Sequence, residues 1–404
     1  MTTHDLLLTF DFPPLGGGIS RWMSEIARRY PAGTLTVSTG RMPGDAASDG
    51  AYPNPIDRLA VPSHRLRTLM GQLHWTRRIV TLNRRAPFRF AWCDNIRPSA
   101  YPARALGQLG GVPYGVIVHG SDLFDLRRNF RRSRLKRFVT RQLLGGAATI
   151  VANSRWTQHL LTDVLTELGV PEMVPRTRVV SLGTDPVRFR PDVDATAFRH
   201  RHHLPDGRWI VTVARLEAFK GADTVIRALR LLSGPYPDLR YAVVGDGSFR
   251  AGAEALAIAE GVRDRVYFLS QVSDEALPSA YAMATIYAGL TRETPRDVEG
   301  FGISLLEAQA AAKPVVAGRA GGIVDAVADG VTGILVDPTD CAAAVAAFRQ
   351  LLDEPARGEA MGRAGRRAVE TYFNWDRVIT ELREVASQYG RPDAVRAALE
   401  RPRS

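Results

Sequence analysis

The chain has 404 residues, of which 45% are apolar and 24% are charged, and its two cysteines, Cys93 and Cys341, lie far apart in the sequence. This composition predicts a soluble globular protein of about two domains and excludes a disulfide framework, a CxxC zinc site and a membrane-spanning chain. The formal net charge is +11, and the excess belongs to residues 1–183, where 25 Lys plus Arg face 12 Asp plus Glu.

Apolar runs of strand length alternate with helical runs along the whole chain. This alternation predicts βαβ units and parallel sheets, and twelve strands are too many for one sheet of this kind. We therefore predict an α/β protein with two doubly wound domains that meet near residues 181–194, where prolines and charges interrupt the pattern. The predicted strands are residues 5–10, 34–39, 88–93, 114–120, 148–154, 177–182, 208–216, 239–247, 265–270, 284–290, 313–318 and 333–337.

Two glycine-rich turns follow predicted strands, FPPLGGGISR at residues 12–21 and VVGDGSFR at residues 243–250. Glycines let backbone N–H groups approach an anion closely, and a following helix adds its positive end. Each turn has an arginine, Arg21 or Arg250, where the dinucleotide fingerprint needs its third glycine. The pattern therefore disfavours a nicotinamide-dependent oxidoreductase.

His119 ends the predicted strand at residues 114–120, and Asp122 follows it in the loop. A lone histidine after a strand is more often structural than functional. In open α/β sheets, however, ligands bind outside the carboxyl ends of the strands, which favours a functional role at this position.

The segment LRRNFRRSRLKRFVTRQLL, residues 126–144, has eight basic residues and no acidic one. Its apolar residues recur at near-helical spacing, so we predict a basic amphipathic helix. Such a helix can rest on an anionic membrane surface, or it can be a solvated face whose apolar side packs on its own domain. Nucleic-acid binding is disfavoured, because no aromatic stacking pattern or DNA-binding motif accompanies the charge.

Arg215 and Lys220 lie five positions apart in a loop that ends at Gly221, ahead of an apolar helix. One forked and one point cation suit a diphosphate. The chain has only three lysines against fifty arginines, so a lysine at this position is unexpected for a random surface charge. An ordinary surface pair is the alternative.

The stretch VEGFGISLLEAQ, residues 298–309, places Glu299 and Glu307 eight positions apart around a glycine turn. Ser304 and Glu307 fit a capping box, in which the two side chains satisfy the first free N–H groups of a helix. That local explanation leaves Glu299 without a role. A further amphipathic helix is predicted over residues 374–390.

Seven motifs in this order resemble the retaining glycosyltransferases of family 4. They are GGI (17–19), HGSD (119–122), VANS (151–154), SLGTDxxxFxP (181–191), RxxxxKG (215–221), VGDG (244–247) and Ex7E (299–307). The resemblance implies the GT-B fold, with two facing Rossmann-like domains and a deep cleft between them. It implies an acceptor-binding domain over residues 1–183, a nucleotide-sugar domain over 184–373, and a last helix in 374–404 that crosses back to the first domain.

The same resemblance assigns roles to individual residues. Arg215 and Lys220 would hold the diphosphate, Glu299 would contact the donor sugar, and Glu307 would bind the ribose hydroxyls. His119 would stabilise the sugar in the transition state, and Asp122 would lie on the acceptor side. Donor-binding groups would also come from Gly17, Gly18, Val272, Phe301, Gly302 and Ile303.

The resemblance implies a retaining, metal-independent transferase that moves a hexose from a nucleotide-sugar to a lipid-linked, glycolipid or polysaccharide acceptor. No DxD-type pair is placed to hold a metal near the two cations, and no cofactor is expected. The long charged loop at residues 291–303 resembles that of members that use GDP-mannose, whereas Asp325 stands where many members have glutamate. We expect a cytoplasmic protein, peripheral at the inner membrane face. The alternative is a catalytically silent GT-B protein that binds a nucleotide or a partner.

Overall fold

The computed structural model describes residues 4–391, which form two compact units. The first unit ends at Val180 and takes in the helix that begins at Trp375, and the second runs from Ser181 to Asn374. In both units every strand pairing is parallel, and helices connect successive strands. The predicted α/β class with two Rossmann-like domains is confirmed.

In the first unit the described residues form a seven-stranded sheet in the order β3-β2-β1-β4-β5-β6-β7. The strands are β1 (Asp5–Leu8), β2 (Leu35–Arg41), β3 (Ile56–Pro62), β4 (Ala91–Cys93), β5 (Tyr114–Val118), β6 (Thr149–Ala152) and β7 (Thr177–Val179). The helices between them are α1 (Gly18–Arg29), α2 (Asp45–Asp49), α3 (Leu69–Arg85), α4 (Ala100–Gly110), α5 (Ser121–Arg132), α6 (Arg134–Gly145) and α7 (Arg155–Leu168).

The sequence prediction missed strand β3. This strand lies at the edge of the sheet and pairs only with β2 among the described residues. Pro55 precedes it and Pro62 ends it. Proline cannot donate a ladder hydrogen bond, so within sheets it is found mainly in edge strands, where one side of the strand has no partner. These two prolines made the segment resemble a loop.

In the second unit the described residues form a six-stranded sheet in the order β10-β9-β8-β11-β12-β13. Its strands are β8 (Arg208–Val213), β9 (Leu239–Val244), β10 (Val266–Leu269), β11 (Ile286–Gly289), β12 (Val315–Gly318) and β13 (Gly333–Val336). Its helices are α8 (Thr196–Arg201), α9 (Ala222–Leu232), α10 (Arg250–Ala259), α11 (Leu277–Ala282), α12 (Ile303–Ala310), α13 (Ile323–Ala326), α14 (Cys341–Asp353) and α15 (Pro355–Thr371). All six strands lie where the sequence predicted them.

The basic segment 126–144 is not the single helix that its periodicity predicts. It is divided between α5 and α6, because Ser133 adopts an extended conformation and its hydroxyl caps α6 by accepting from the Lys136 N–H. The apolar residues are also divided. Phe130 and Leu143 are buried in the core of the first unit, whereas Leu135 and Phe138 are exposed.

The last described helix is α16 (Trp375–Tyr389), as predicted, and its apolar stripe is buried. It packs against α1, and Asp376 pairs with Arg29 of that helix at 2.9 Å. None of the helices within residues 4–391 combines the length and apolar character needed to cross a membrane.

Each sheet has one point at which the strand order reverses, between β1 and β4 in the first unit and between β8 and β11 in the second. Loops that leave the sheet on either side of such a point diverge and open a crevice at the carboxyl ends of the strands. This topology therefore marks one place in each unit where a ligand site is expected.

Candidate active site

The second unit has a pocket at its reversal point. The loop after β8 contributes Ala214 and Lys220 to the wall, and the end of β11 contributes Gly289 and Thr291. Glu299 and the first turn of α12 close the pocket from a third direction. The pocket brings together two motifs that the sequence analysis described separately, RxxxxKG (215–221) and Ex7E (299–307).

Lys220 and Glu299 form an ion pair in this pocket, through Nζ and Oε2. Their side chains are 15% and 25% exposed, so both reach solvent while they remain close to the protein interior. An incoming anion would compete with Glu299 for the ammonium group of Lys220. The two residues that the resemblance assigns to phosphate and to sugar are therefore in direct contact.

The N-terminus of α12 faces the same pocket through Gly302 and Ser304. Gly302 is the N-cap residue, with φ of 96° and ψ of 69°, and a glycine has no side chain that could cap the helix. The predicted capping box is therefore wrong, because the helix starts two positions too early for Ser304 to be its cap. Uncapped N–H groups and the positive end of the helix suit an anion.

Glu307 lies one turn further along α12 and is 3% exposed. Its Oε2 accepts a hydrogen bond from the hydroxyl of Tyr281 at 2.5 Å. This contact gives the carboxylate a buried partner outside its own helix. The structure thus separates Glu307 from the cap role, and its role toward a ribose stays a prediction.

Three more residues of the second unit were predicted to lie on the donor side, and none of them lines this pocket. Arg215 is exposed on the loop after β8, Val272 packs on the apolar cluster beyond β10, and Phe301 is buried with its ring 5.9 Å from that of Phe373. Arg215 does not border the pocket of Lys220. The proposed diphosphate clamp therefore has one pocket cation and one solvent-facing cation.

The turn that contains Gly245 and Gly247 has a structural explanation. A Cβ atom at Gly245 would lie 2.1 Å from the carbonyl oxygen of Ala214, and one at Gly247 would lie 2.4 Å from that of Leu216. These glycines let the turn pack against the loop that leads to Lys220. They position that loop, which explains the glycines without a phosphate.

The first unit also has polar groups at its reversal point, centred on Asp94 immediately after β4. Asp94 is completely buried. Its carboxylate accepts hydrogen bonds from the Thr9 hydroxyl and Phe10 N–H at 2.8 Å, from the Asp11 N–H at 3.2 Å, and from the Ser99 hydroxyl. Burial raises the pKa of Asp94, and these hydrogen bonds oppose the rise. The carboxylate fastens the loop after β1 to the loop after β4.

His119 follows β5 directly and is held on several sides. Its Nε2 lies 2.5 Å from the backbone carbonyl oxygen of Asp94, which can only accept, so Nε2 carries the proton. Its backbone N–H donates to Asp122 at 3.0 Å, and its carbonyl accepts from Asn153 at 3.3 Å. The indole of Trp22 meets the imidazole edge-to-face at 5.3 Å. In the neutral ring Nδ1 is then an acceptor.

Two further carboxyl groups surround this histidine. Burial and then the neighbouring Asp94 raise the pKa of Asp11, His119 and Arg67 oppose the rise, and the result is a pKa of about 6. Burial also raises the pKa of Asp122, which His119 opposes. Asp122 lies in the first turn of α5 and accepts from the His119 backbone, so its position is explained by the local fold.

Gly17 and Gly18 lie where α1 begins. Gly17 is the N-cap residue with φ of 119°, and no side chain caps this helix in the described part of the chain. A Cβ atom at Gly16 or Gly17 would meet no heavy atom within 4 Å. Open space in front of an uncapped helix N-terminus is compatible with the anion contact that the sequence predicts.

Comparison with known proteins identifies the family. The family model described as glycosyl transferases group 1 matches residues 194–368. A GDP-mannose-dependent alpha-(1-6)-phosphatidylinositol monomannoside mannosyltransferase of Mycolicibacterium smegmatis is 32% identical over 400 residues, which cover 97% of this chain and the whole of the relative. The chain belongs to the glycosyl transferases group 1 family. It is a hexosyltransferase, as the seven motifs indicated.

Other relatives extend this finding for the group 1 glycosyltransferase. A D-inositol 3-phosphate glycosyltransferase of Salinispora tropica is 35% identical over 315 residues, which cover 72% of this chain and 63% of the relative. The crystal structure of Anabaena Alr3699/HepE in complex with UDP has a TM-score of 0.78 at 19% identity, covering 96% of this chain and all of the other. Sucrose-phosphate synthase from Thermosynechococcus elongatus has a TM-score of 0.76 at 20% identity, covering 96% and 98%. These structures support the GT-B fold.

Sequence reasoning on this glycosyltransferase missed two acids of the first unit, the buried Asp94 and the half-buried Asp11. Asp11 and Asp94 follow the two strands that flank the reversal point, so the rule that selected His119 could have found them. Nothing in the sequence indicated Trp22 as the ring against His119. Within residues 4–391 there is no group of three or more histidine, cysteine, aspartate or glutamate side chains that could hold a metal ion.

Proposed function

We propose that this glycosyltransferase moves mannose, with retention of configuration, from GDP-mannose to a mannosylated phosphatidylinositol. One observation carries the donor half of the proposal. Lys220 and the uncapped N-terminus of α12 border the same pocket at the reversal point of the second sheet, and both suit a phosphate. The full-length match to the Mycolicibacterium smegmatis enzyme supports the choice of GDP-mannose and of a phosphoinositide acceptor.

The residue roles in this proposal are those that the family resemblance implies. When the diphosphate binds, Lys220 exchanges Glu299 for a phosphate oxygen, and Glu299 becomes available to a donor-sugar hydroxyl. Arg215 adds a second cation from the solvent side, and Glu307 binds the ribose. Positive groups aimed at the leaving phosphate are most effective in the transition state, where its negative charge develops.

The bond changes need no protein nucleophile. The acceptor oxygen attacks C1 of the sugar on the face from which the phosphate departs. The C1–O bond to the phosphate breaks, and the acceptor's proton passes to the departing phosphate oxygen. His119 contacts the sugar during this step, and Val272 lies beside the base. Backbone N–H groups also contact the donor, and they come from Gly17, Gly18, Phe301, Gly302 and Ile303.

A transfer assay with purified lipids tests the proposal. GDP-mannose, GDP-glucose, UDP-glucose and UDP-glucuronate are each offered with phosphatidylinositol monomannoside, phosphatidylinositol or D-inositol 3-phosphate, and the product anomer is determined by NMR. We expect α-linked transfer from GDP-mannose to the monomannoside. Transfer to D-inositol 3-phosphate alone would favour the second candidate, which the Salinispora tropica relative suggests. Binding without any transfer would favour a catalytically silent protein.

The membrane contact predicted for residues 126–144 is a further part of this proposal. Leu135 and Phe138 are 71% and 61% exposed on α6. We name these two residues, with the exposed Arg134, Lys136 and Arg141 that flank them, the α6 patch. Apolar side chains set among basic ones suit an anionic bilayer, where the acceptor lipid resides.

A further inference from the structure

Tyr281 is a completely buried residue of α11 whose hydroxyl reaches the carboxylate of Glu307 on α12. The hydroxyl donates to Oε2 of Glu307 at 2.5 Å. A phenol has a single proton to donate, and Tyr281 donates it to this carboxylate. The two residues lie 26 positions apart in the sequence, so the contact depends on the placement of one helix against the other.

The contact is better explained by the needs of Glu307 than by those of Tyr281. Glu307 is 3% exposed, and a carboxylate removed from water is costly unless hydrogen bonds replace the water. A buried tyrosine does not need a charged partner. In the first unit the buried Tyr114 donates its hydroxyl to the backbone carbonyl of Leu143 at 2.6 Å. Tyr281 therefore supplies a donor to a carboxylate that has a purpose of its own.

Neighbouring groups hold Tyr281 in place. The ring of Phe189 meets the Tyr281 ring edge-to-face, with centroids 5.5 Å apart, and the ring of Tyr287 lies 5.6 Å away at an angle of 33°. The next residue, Ala282, is also held, because its carbonyl accepts from Nζ of Lys313 at 2.6 Å. These contacts fix the hydroxyl as a donor to which a more flexible side chain can be fastened.

A fixed donor sets the orientation of the Glu307 carboxylate. The last torsion of a glutamate side chain is broad, and a hydrogen bond to Oε2 restricts it. An ionised carboxylate has two oxygens with about four acceptor positions, so one hydrogen bond does not exhaust it. Glu307 follows Ser304 by three positions, which places both on one face of α12, and Ser304 borders the pocket. The oriented carboxylate thus lies one helical turn from the pocket.

We propose that Tyr281 is a positioning residue for the donor, which holds the Glu307 carboxylate in the orientation that accepts hydrogen bonds from the ribose hydroxyls of the nucleotide. This inference rests on the ribose role proposed for Glu307. Tyr281 itself touches neither the ribose nor the reacting atoms, and it acts only through Glu307. The change Tyr281→Phe retains the ring and removes only the hydroxyl.

Nucleotide binding measured by calorimetry tests this inference without any transfer reaction. GDP and 2′,3′-dideoxy-GDP, which lacks both ribose hydroxyls, are titrated into the unmodified protein, Tyr281→Phe, Glu307→Ala and the double variant. The matched control is Tyr236→Phe. Tyr236 is 6% exposed, and its hydroxyl donates to the carboxylate of Asp353 at 2.5 Å. It lies just before β9, at the amino edge of the sheet whose carboxyl edge bears the pocket.

We expect Tyr281→Phe to bind GDP about tenfold more weakly and to bind 2′,3′-dideoxy-GDP like the unmodified protein, because the lost hydrogen bond acts only on the ribose contact. Tyr236→Phe should bind both nucleotides normally. Adding Tyr281→Phe to Glu307→Ala should change nothing further, since the carboxylate to be positioned is gone. With GDP-mannose as donor, the KM of Tyr281→Phe should rise by a similar factor while kcat stays nearly constant.

The comparison with Glu307→Ala identifies which idea fails. A Tyr281→Phe protein that prefers GDP as strongly as the unmodified protein, when Glu307→Ala has lost that preference, would overturn the inference and leave the ribose role of Glu307 intact. An equal loss for both nucleotides would also overturn it, since Tyr281 would then support the fold of the site in general. An unmodified protein without any preference for GDP would refute the ribose role and the inference together.

Two further outcomes leave the inference testable on its own. If Tyr281→Phe does not fold, the double variant and Glu307→Ala are compared, because neither retains the carboxylate that would lose its donor. A further loss of GDP affinity in the double variant would contradict the inference, and equal affinity would support it. The expected binding pattern without mannose transfer would support the role of Tyr281 and contradict only the proposed reaction.

Discussion

The two reversal points differ in the burial and the sign of the groups they present. In the first unit Asp94 is 0% exposed, and its carboxylate is surrounded by four donors. In the second unit Lys220 and Glu299 are 15% and 25% exposed and have each other as partners. One site is a fixed acceptor of hydrogen bonds, and the other is an ion pair within reach of solvent.

This difference indicates a division of labour. A buried carboxylate with all its hydrogen bonds made cannot exchange partners cheaply, because breaking them leaves an unpaired charge in the interior. It is suited to hold loops in place for a polyol acceptor. A partly exposed ion pair can exchange one partner for a phosphate of equal charge. We therefore propose that the groups of the second unit respond to the donor, and that those of the first unit stay in place.

The largest expected effect is that of removing the pocket cation. In Lys220→Met the leaving diphosphate loses the charge that stabilises it, and Glu299 loses its partner. We expect kcat for mannose transfer to fall by about 10² to 10³, a typical cost of losing one such donor. Initial rates with GDP-mannose and saturating acceptor measure the effect.

Two matched changes show whether this loss comes from charge in the pocket. Lys220→Arg keeps the charge and should retain more activity than Lys220→Met. Lys136→Met removes another of the three lysines, exposed on α6, and should leave kcat with a water-soluble acceptor unchanged. Full activity of Lys220→Met would remove the basis for assigning the donor site to the second unit.

Two glycines that precede helices, Gly302 before α12 and Gly16 before α1, give the next prediction. Gly302 has φ of 96°, and a Cβ atom there would lie 2.7 Å from the side chain of Leu305, whereas a Cβ at Gly16 meets nothing within 4 Å. We expect Gly302→Ala to lower the free energy of unfolding of the second unit by about 1–3 kcal/mol, because alanine is strained at positive φ. Urea unfolding measures it. Gly16→Ala should cost far less, and equal costs would contradict the backbone geometry of either turn.

The sequence predicted the second unit better than the first. All six strands of the second sheet are buried apolar runs, and the apolar pattern identifies such strands directly. In the first unit β3 is an edge strand bounded by prolines, so its pattern resembles a loop. The break between α5 and α6 was missed because the apolar spacing continues across Ser133, while a local hydrogen bond to the backbone ends one helix and starts the next.

The sequence indicated individual residues of the candidate site but not the contacts between them. Motifs on either side of the reversal point, such as Lys220 and Glu299, are 79 positions apart in sequence and meet only because β8 and β11 are neighbours. The prediction of a capping box at Ser304 is wrong. Ser304 and Glu307 have the spacing of such a box, but the helix already begins after Gly302. Such contacts depend on strand order and on single φ values, which no local pattern contains.

The smallest expected effect concerns Asp11, which lies beside Asp94 and His119, and the pH dependence of acceptor binding. The pKa of Asp11 is raised to about 6 by burial and then by Asp94, so in the folded protein Asp11 gains a proton as the pH falls through about 6. If the carboxylate of Asp11 accepts from an acceptor hydroxyl, the KM for the acceptor rises below that pH. Asp94→Asn removes the neighbouring charge, which lowers the pKa of Asp11 and moves the rise in KM to lower pH.

Asparagine suits this test because it can keep the structure of the site. Its Oδ1 can accept from the N–H groups of Phe10 and Asp11, and its Nδ2 can donate to the Ser99 hydroxyl, which is free to rotate. The carbonyl that holds His119 belongs to the backbone and is unchanged. We therefore expect a shifted pH profile of acceptor KM with kcat nearly constant, measured between pH 5 and pH 8. A loss of kcat at every pH, with an unshifted pH profile of KM, would contradict this prediction. It would mean that the carboxylate of Asp94 acts by holding the two loops in place and not by raising the pKa of Asp11.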